Sequence, residues 1–194
     1  MKRTSSLSAR VAITVLASVT LAVGCGSGSG RVSPQDYVKG VCNSAKSFVG
    51  SILSTATSLQ KALTPGSTPS EGKTAIEGVI SILISATDKL KADLGNLGTP
   101  DVGNGAQVKA ALDSAFSEIG SRLQKEKADA ANLPTSSPQA FLTAAQQLSG
   151  ELRSTFTNPL SSSLSHLKAP ELKAAAQKEP ACRSGGANPG FPGG

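Results

Sequence analysis

Tryptophan is absent from this chain of 194 residues, and tyrosine, histidine and methionine occur once each beside five phenylalanines. A core of this composition has to be built from Leu, Ile, Val and Ala. Without aromatic interleaving or a dense Lys/Arg patch, the chain has no footprint for nucleic acid, and none is expected as a partner. One histidine, three cysteines and scattered carboxylates give no zinc-ligand spacing and no EF-hand loop, so neither a metal nor a cofactor is expected. A long hydrophobic run is also lacking. The uncharged stretch from Val11 to Val23 covers about thirteen residues, includes Thr14, Ser18 and Thr20, and falls short of the about 20 that a membrane-spanning helix requires.

That short run has informative neighbours. Lys2, Arg3 and Arg10 precede it, and the small residues Ala22 and Gly24 flank Val23 directly before Cys25. A cationic start, an apolar middle and a small-residue end have the order of a secretory signal. The stretch Leu21-Ala22-Val23-Gly24-Cys25 resembles the lipobox of bacterial lipoproteins, usually Leu-(Ala/Ser/Thr)-(Gly/Ala)-Cys, although Leu21 stands one place early and Ala22 takes the usual leucine position. The resemblance implies cleavage between Gly24 and Cys25, with Cys25 becoming the N-terminus and carrying a diacylglycerol thioether. Thiolates are strong nucleophiles, which suits cysteine to this chemistry. One fatty chain holds a membrane only reversibly, at about 0.8 kcal/mol per buried methylene, whereas two hold stably. The competing reading is an ordinary secretory signal followed by a chance cysteine. Against it stands Gly26-Ser27-Gly28-Ser29-Gly30, a flexible tether suited to standing a domain off a surface. Losing Lys2, Arg3 and Arg10 with the signal brings the formal charge from +6 to +3, so the processed chain is only mildly basic.

With Cys25 lipidated, Cys42 and Cys182 remain as a pair for one disulfide in an oxidising compartment, the alternative being two free thiols. Helical signals fill the chain between them. Ser33-Pro34-Gln35-Asp36 opens a first helix, and Val38, Val41, Ala45, Phe48, Ile52, Thr55 and Leu59 recur at spacings of three and four. Cys42, Val49, Leu53, Ala56 and Leu63 widen the stripe, and Thr64-Pro65-Gly66 ends it. Thr68-Pro69-Ser70-Glu71 fits a capping box for a second helix with Ile76, Val79, Ile80, Leu83, Thr87, Leu90, Leu94 and Leu97 on one face. Dense β-branching from Val79 to Ile84 competes for a strand, but the flanking period decides for helix. Gly95 and Gly98 mark its exit, before the turn-rich residues 99–105.

A third helix starts near Ala106 and carries Val108, Leu112, Ala115, Phe116, Ile119, Leu123 and Ala130. Lys109, Asp113, Glu118, Arg122, Lys125, Glu126, Lys127 and Asp129 are expected to form its solvated, mixed-sign face. Asn132-Leu133-Pro134 stops it. Ser137-Pro138 opens a fourth helix with Phe141, Ala144, Ala145, Leu148, Leu152, Phe156, Leu160, Leu164 and Leu167 on its stripe. Pro159 either kinks this helix or, with Asn158 as cap, begins a new one. After Pro170 a short helix over Glu171–Lys178 leads to Cys182, and the Gly/Pro-rich residues 184–194 are expected to be disordered.

Long helices joined by short connections predict an all-α protein, an antiparallel up-down-up-down four-helix bundle over residues 33–183 with a short C-terminal helix. In that topology the fourth helix ends where the first begins, and Cys42 lies about 12 Å up the first helix. Cys182 can then come within the roughly 7 Å between Cα atoms that a disulfide allows. The signal, the tether, Tyr37-Val38-(x)3-Cys42 and Pro180-Ala181-Cys182 together resemble small, uncharacterised exported lipoproteins of high-GC Gram-positive bacteria. That resemblance implies an anchored helical domain and brings no activity with it.

Candidate chemistry is thin. Gly66 and Gly72-Lys73-Thr74 imitate a phosphate-binding loop, but the glycine spacing is one too long, Pro69 interrupts it and no strand precedes it. His166 beside Ser161, Ser162, Ser163 and Ser165 lacks the context that activates a nucleophile, so no catalytic residue is expected. Asp88 and Asp93 flank lysines on a solvated face. Gly78, Gly120 and Gly150 inside three helices mark either close helix approach or room for a ligand. Two functions fit: a non-enzymatic binding module on the extracytoplasmic face of the cell membrane that engages another envelope component, or a carrier or sensor holding a small apolar ligand between helices.

Overall fold

A computed structural model describes residues 30–62, 67–164 and 168–183, and this body is mostly helical. In chain order the elements are β1 (Arg31–Val32), α1 (Pro34–Ala62), α2 (Pro69–Asn96), β2 (Thr99–Pro100), α3 (Gly105–Ala131), α4 (Pro138–Leu164), α5 (Pro170–Lys178) and α6 (Pro180–Arg183). Gly24, Cys25, residues 26–29 of the tether, Thr64-Pro65-Gly66, Ser165, His166, Leu167 and residues 184–194 lie outside the described residues. No helix among the described residues is long and apolar enough to cross a membrane.

The helix starts follow from their caps. At α1 the Ser33 hydroxyl accepts from the Asp36 amide at 3.1 Å and donates to the Asp36 carboxylate at 2.7 Å. At α2 the capping box is complete: the Glu71 amide donates to the Thr68 hydroxyl at 3.3 Å, and the Glu71 carboxylate accepts from the Thr68 amide at 2.7 Å. Each device satisfies amides that a helix N-terminus leaves orphaned. Because the Thr68 backbone N–H, and then its hydroxyl, donate to it, the Glu71 carboxyl is held below its ordinary 4.5. α2 runs unbroken through Val79–Ile84, so the 3.6-residue period outweighs local β-propensity there. Just past its end at Asn96, Gly98 turns the chain away with a φ of 78°, which glycine adopts at little cost. α4 continues through Pro159, so the helix is not split at that residue.

Two features at the ends were not expected. Arg31 and Val32, which precede the expected start of the bundle at residue 33, pair in parallel with Thr99 and Pro100. The Asp101 amide donates to the Val32 carbonyl at 2.7 Å, and Arg31 meets Asp101 at 2.8 Å in an exposed ion pair. The folded body therefore begins before Ser33. The single turn α6 follows α5, where the sequence led only to a terminal cysteine.

The core forms two clusters. One gathers Tyr37, Val38, Val41 and Cys42 of α1 with Leu90, Leu94, Val108 and Leu112, and closes over Leu172, Ala175 and Cys182 from the C-terminal helices. The second joins Ile80, Leu83 and Ile84 of α2 to Ile119 and Leu123 of α3, Leu133 of the following connection, and Phe141 and Leu148 of α4. Phe116 packs against both. The rings of Phe48 and Phe156 stand 6.0 Å apart and bring α1 and α4 together. Leu53, expected to widen the apolar stripe of α1, is 63% exposed. α1 is packed by α2, α5 and α6, and the flank bearing Leu53 is left uncovered.

Candidate functional site

Cys42 and Cys182 form the expected disulfide, with Cα atoms 5.1 Å apart and 140 residues of sequence between them. Both half-cystines sit inside the first core cluster, so the bridge clamps α6 and, through it, α5 onto the start of α1. Just ahead of α5, the Asn104 side-chain amide donates to the Lys168 carbonyl at 2.7 Å, tying that strap to the N-terminus of α3.

Beside the same cluster, a half-open groove of about 470 Å³ runs between α2 and α3 and reaches Tyr37 of α1. Leu94, Leu112, Phe116 and the Tyr37 ring give it an apolar floor, and Lys91, Lys109 and Asp113 stand among its polar lining residues. Lys91 approaches Asp113 at 3.9 Å, while Lys109 donates to the Leu94 and Gly95 carbonyls at 3.4 and 3.0 Å and so caps the C-terminus of α2. Burial pushes the Tyr37 phenol up to about 12. At neutral pH it is thus an uncharged hydroxyl, suited to contacting a ligand and poorly suited to acting as a base.

At the opposite end of α3, acidic side chains converge. Glu126, expected on the solvated face, is only 5% exposed. Its position explains this: Ile119, Leu123, Glu126 and Ala130 follow one another at spacings of four, three and four, so Glu126 continues the buried stripe. That spacing was available in the sequence, but the residue's charge assigned it outward. One Glu126 oxygen accepts from the buried Thr155 hydroxyl of α4 at 3.3 Å, and the other, Oε2, is buried without a hydrogen-bond partner. Ligand oxygens of Glu126, Asp129 and Glu151 lie within 4.8 Å of one another. The carboxylates read as scattered therefore meet across α3 and α4. Burial first, then the neighbouring Glu151 charge, pushes the Glu126 carboxyl up, with the Thr155 hydroxyl opposing. Lys125, 69% exposed, donates to Asp129 Oδ2 at 2.6 Å. Asp129 and Glu151 line an open groove of about 320 Å³ with Lys125, Gln147 and Leu148.

Other sequence candidates fall as follows. Lys73 pairs with Glu77 at 3.9 Å within α2, and Gly72 lies in the first turns of the helix rather than in a phosphate-cradling loop. Lys89 holds Asp93 at 2.8 Å, and Arg122 holds Glu118 at 2.7 Å, both on solvated helix faces as expected. Gly78, Gly120 and Gly150 mark no close approach, since a Cβ at any of them would meet nothing within 4 Å. The tight glycines are Gly105, whose added Cβ would strike the Pro100 carbonyl, and Gly40, whose added Cβ would strike the Leu97 side chain. His166 and Cys25 lie outside the described residues, and Ser161–Ser163 fall in the last turn of α4. No protein-family model, curated protein or solved structure matches this chain.

Proposed function

We propose that the chain is a membrane-anchored lipoprotein on the extracytoplasmic face, and that its helical body is a non-enzymatic binding module of the cell envelope. The observation that carries this reading is the use of the cysteines. Of three in the chain, Cys42 and Cys182 are joined, which leaves Cys25 as the one outside the bridge, directly after a signal-like apolar run. A disulfide suits an oxidising compartment, and a lone cysteine at that place suits lipidation. The body is an antiparallel up-down-up-down bundle in this reading. The β1–β2 pairing, which sets the start of α1 beside the end of α2, supports it, as does the Asn104–Lys168 bond, which sets the start of α3 beside the chain leaving α4.

Intact-mass measurement on membrane and medium fractions tests the anchor. The expected product begins at Cys25, carries a diacylglycerol mass and stays with the membrane, whereas Cys25→Ala abolishes that modification. Unmodified polypeptide beginning elsewhere and released into the medium refutes it. Crosslinking in intact cells should then recover a consistent envelope partner.

The groove at Tyr37 favours a second reading, a carrier or sensor of a small apolar ligand. Its volume of about 470 Å³ falls within the about 300–1,000 Å³ of small-molecule sites, with an apolar floor and a few polar groups at hand. Native mass spectrometry of protein purified from membranes decides between them. A co-purifying small molecule that is lost in Leu112→Glu supports the carrier, and its consistent absence leaves the interaction module.

A further inference from the structure

We infer that Glu126, Asp129 and Glu151 form a calcium site between α3 and α4. This inference does not depend on the anchor or on the Tyr37 groove. A cluster of carboxylates on a wet surface needs no ion, but this cluster has a buried member with an acceptor oxygen left unsatisfied. Glu126 is 5% exposed, and its Oε2 is sealed from solvent without a hydrogen-bond donor. Leaving a charged oxygen in that state is costly, and the remedies are a proton or a cation.

Lys125 is the cation at hand, yet its ammonium is spent on Asp129 Oδ2 at 2.6 Å and is 69% exposed. The Thr155 hydroxyl serves Glu126 Oε1, and the Gln147 amide donates to Glu151 Oε1 at 3.2 Å. None of these reaches Glu126 Oε2. A divalent ion placed among the carboxylates would answer all three at once.

Donor chemistry and coordination flexibility choose the ion. With carboxylate oxygens and no His or Cys in the cluster, the site suits a hard cation. The ligand oxygens lie within 4.8 Å of one another and come from two helices. Calcium, with a flexible shell of about six to eight oxygens, accommodates such a set, whereas magnesium demands a near-ideal octahedron and is reluctant to shed its waters. The groove lined by Asp129 and Glu151 gives an approach and room for the waters that complete a calcium shell. Because the ligands come from both α3 and α4, the bound ion would staple that helix pair.

The test is calorimetric titration and thermal melting of the purified full chain, stripped with chelator, against CaCl2 and separately MgCl2. One site with a dissociation constant of about 10⁻⁴–10⁻³ M is expected, the weak end of the calcium range, because the protein supplies only three carboxylates. At about twenty times that constant the melting temperature should rise by about 4–7 °C. Glu151→Gln and Asp129→Asn, at half-buried positions tolerant of change, should each weaken calcium binding by about tenfold or more. Glu126→Gln should abolish the calcium-dependent rise whatever it does to the metal-free melting point. No heat and a shift under about 1 °C at 10 mM CaCl2 would overturn the site. So would a shift of equal size in wild type and all three variants, and an equal response to MgCl2 would overturn the choice of ion.

Discussion

Cutting the Cys42–Cys182 bridge should destabilise the protein by about 5 kcal/mol. In the chain-entropy model the gain from a crosslink grows with the loop it closes, and a separation of 140 residues corresponds to about 5 kcal/mol at 25 °C. For a domain of this size each kcal/mol shifts the melting temperature by about 2–4 °C, so the expected fall is about 10–20 °C. Loss should be uneven. α5 contributes Leu172 and Ala175 to the core, and full burial of a leucine stabilises by about 1.5–3 kcal/mol, against about 1–2 kcal/mol of backbone entropy for each residue that the strap orders. With the bridge open, the strap should therefore undock before the four long helices melt. The assay compares oxidised and reduced protein by calorimetry and limited proteolysis, in a Cys25→Ala background so that only the paired cysteines respond. A Cys42→Ala, Cys182→Ala double variant should match the reduced protein. If reduction moves the melting point by less than about 2 °C and exposes no new cleavage site in residues 165–183, the bridge does not hold the strap and the reasoning fails.

Three further outcomes follow from local geometry. Gly78→Ala and Gly150→Ala place a methyl group in open space within a helix, so each should stabilise by about 0.5–1 kcal/mol in denaturant titration. Gly105→Ala drives its Cβ into the Pro100 carbonyl and should destabilise by about 1–3 kcal/mol in the same titration, with the β1–β2 junction most disturbed. Glu71 titrates below its ordinary 4.5 in the folded chain because the Thr68 amide donates to its carboxylate. A depressed carboxyl contributes stability that is present above its unfolded pKa and lost as pH falls through the folded value. The melting-point advantage of wild type over Glu71→Gln should accordingly hold at pH 7 and shrink as pH falls below the ordinary carboxylate range.

Most of the helical layout was legible because it rests on local physics. Ser33 and Thr68 cap their helices through their own hydroxyls, and a Pro at the first turn of α1, α2 and α4 lies where a missing N–H costs nothing. The disulfide was legible for a different reason. An odd cysteine assigned to lipid leaves a single possible pair, and the folding of α5 back toward α1 satisfies it. What stayed hidden depends on partners distant in sequence. The pairing of Val32 with Pro100 joins residues with no periodic pattern, and a two-residue strand is too short to leave one. Leu53 fits its stripe and still faces solvent, because period alone fixes direction on a helix and not whether a neighbour arrives there.

Glu126 carries the larger lesson about the site. A residue's place on a helix and its preference for water are separate sources of information, and at position 126 they conflict. Spacing from Ile119, Leu123 and Ala130 places it inward, and charge places it outward. Where α3 meets α4 the geometry prevails: Glu126 and Thr155 are both buried in contact with each other. A sequence that spends a buried position on a carboxylate, where leucine or alanine would pack without penalty, forgoes stability at that point. Such a residue is more informative than the solvated charges around it, because packing gives no reason for its presence. Asp129 and Glu151 then acquire meaning through Glu126. Apart from it they form only part of a surface charge pattern with Lys125, and beside it they bring three carboxylates from two helices to within 4.8 Å of one another.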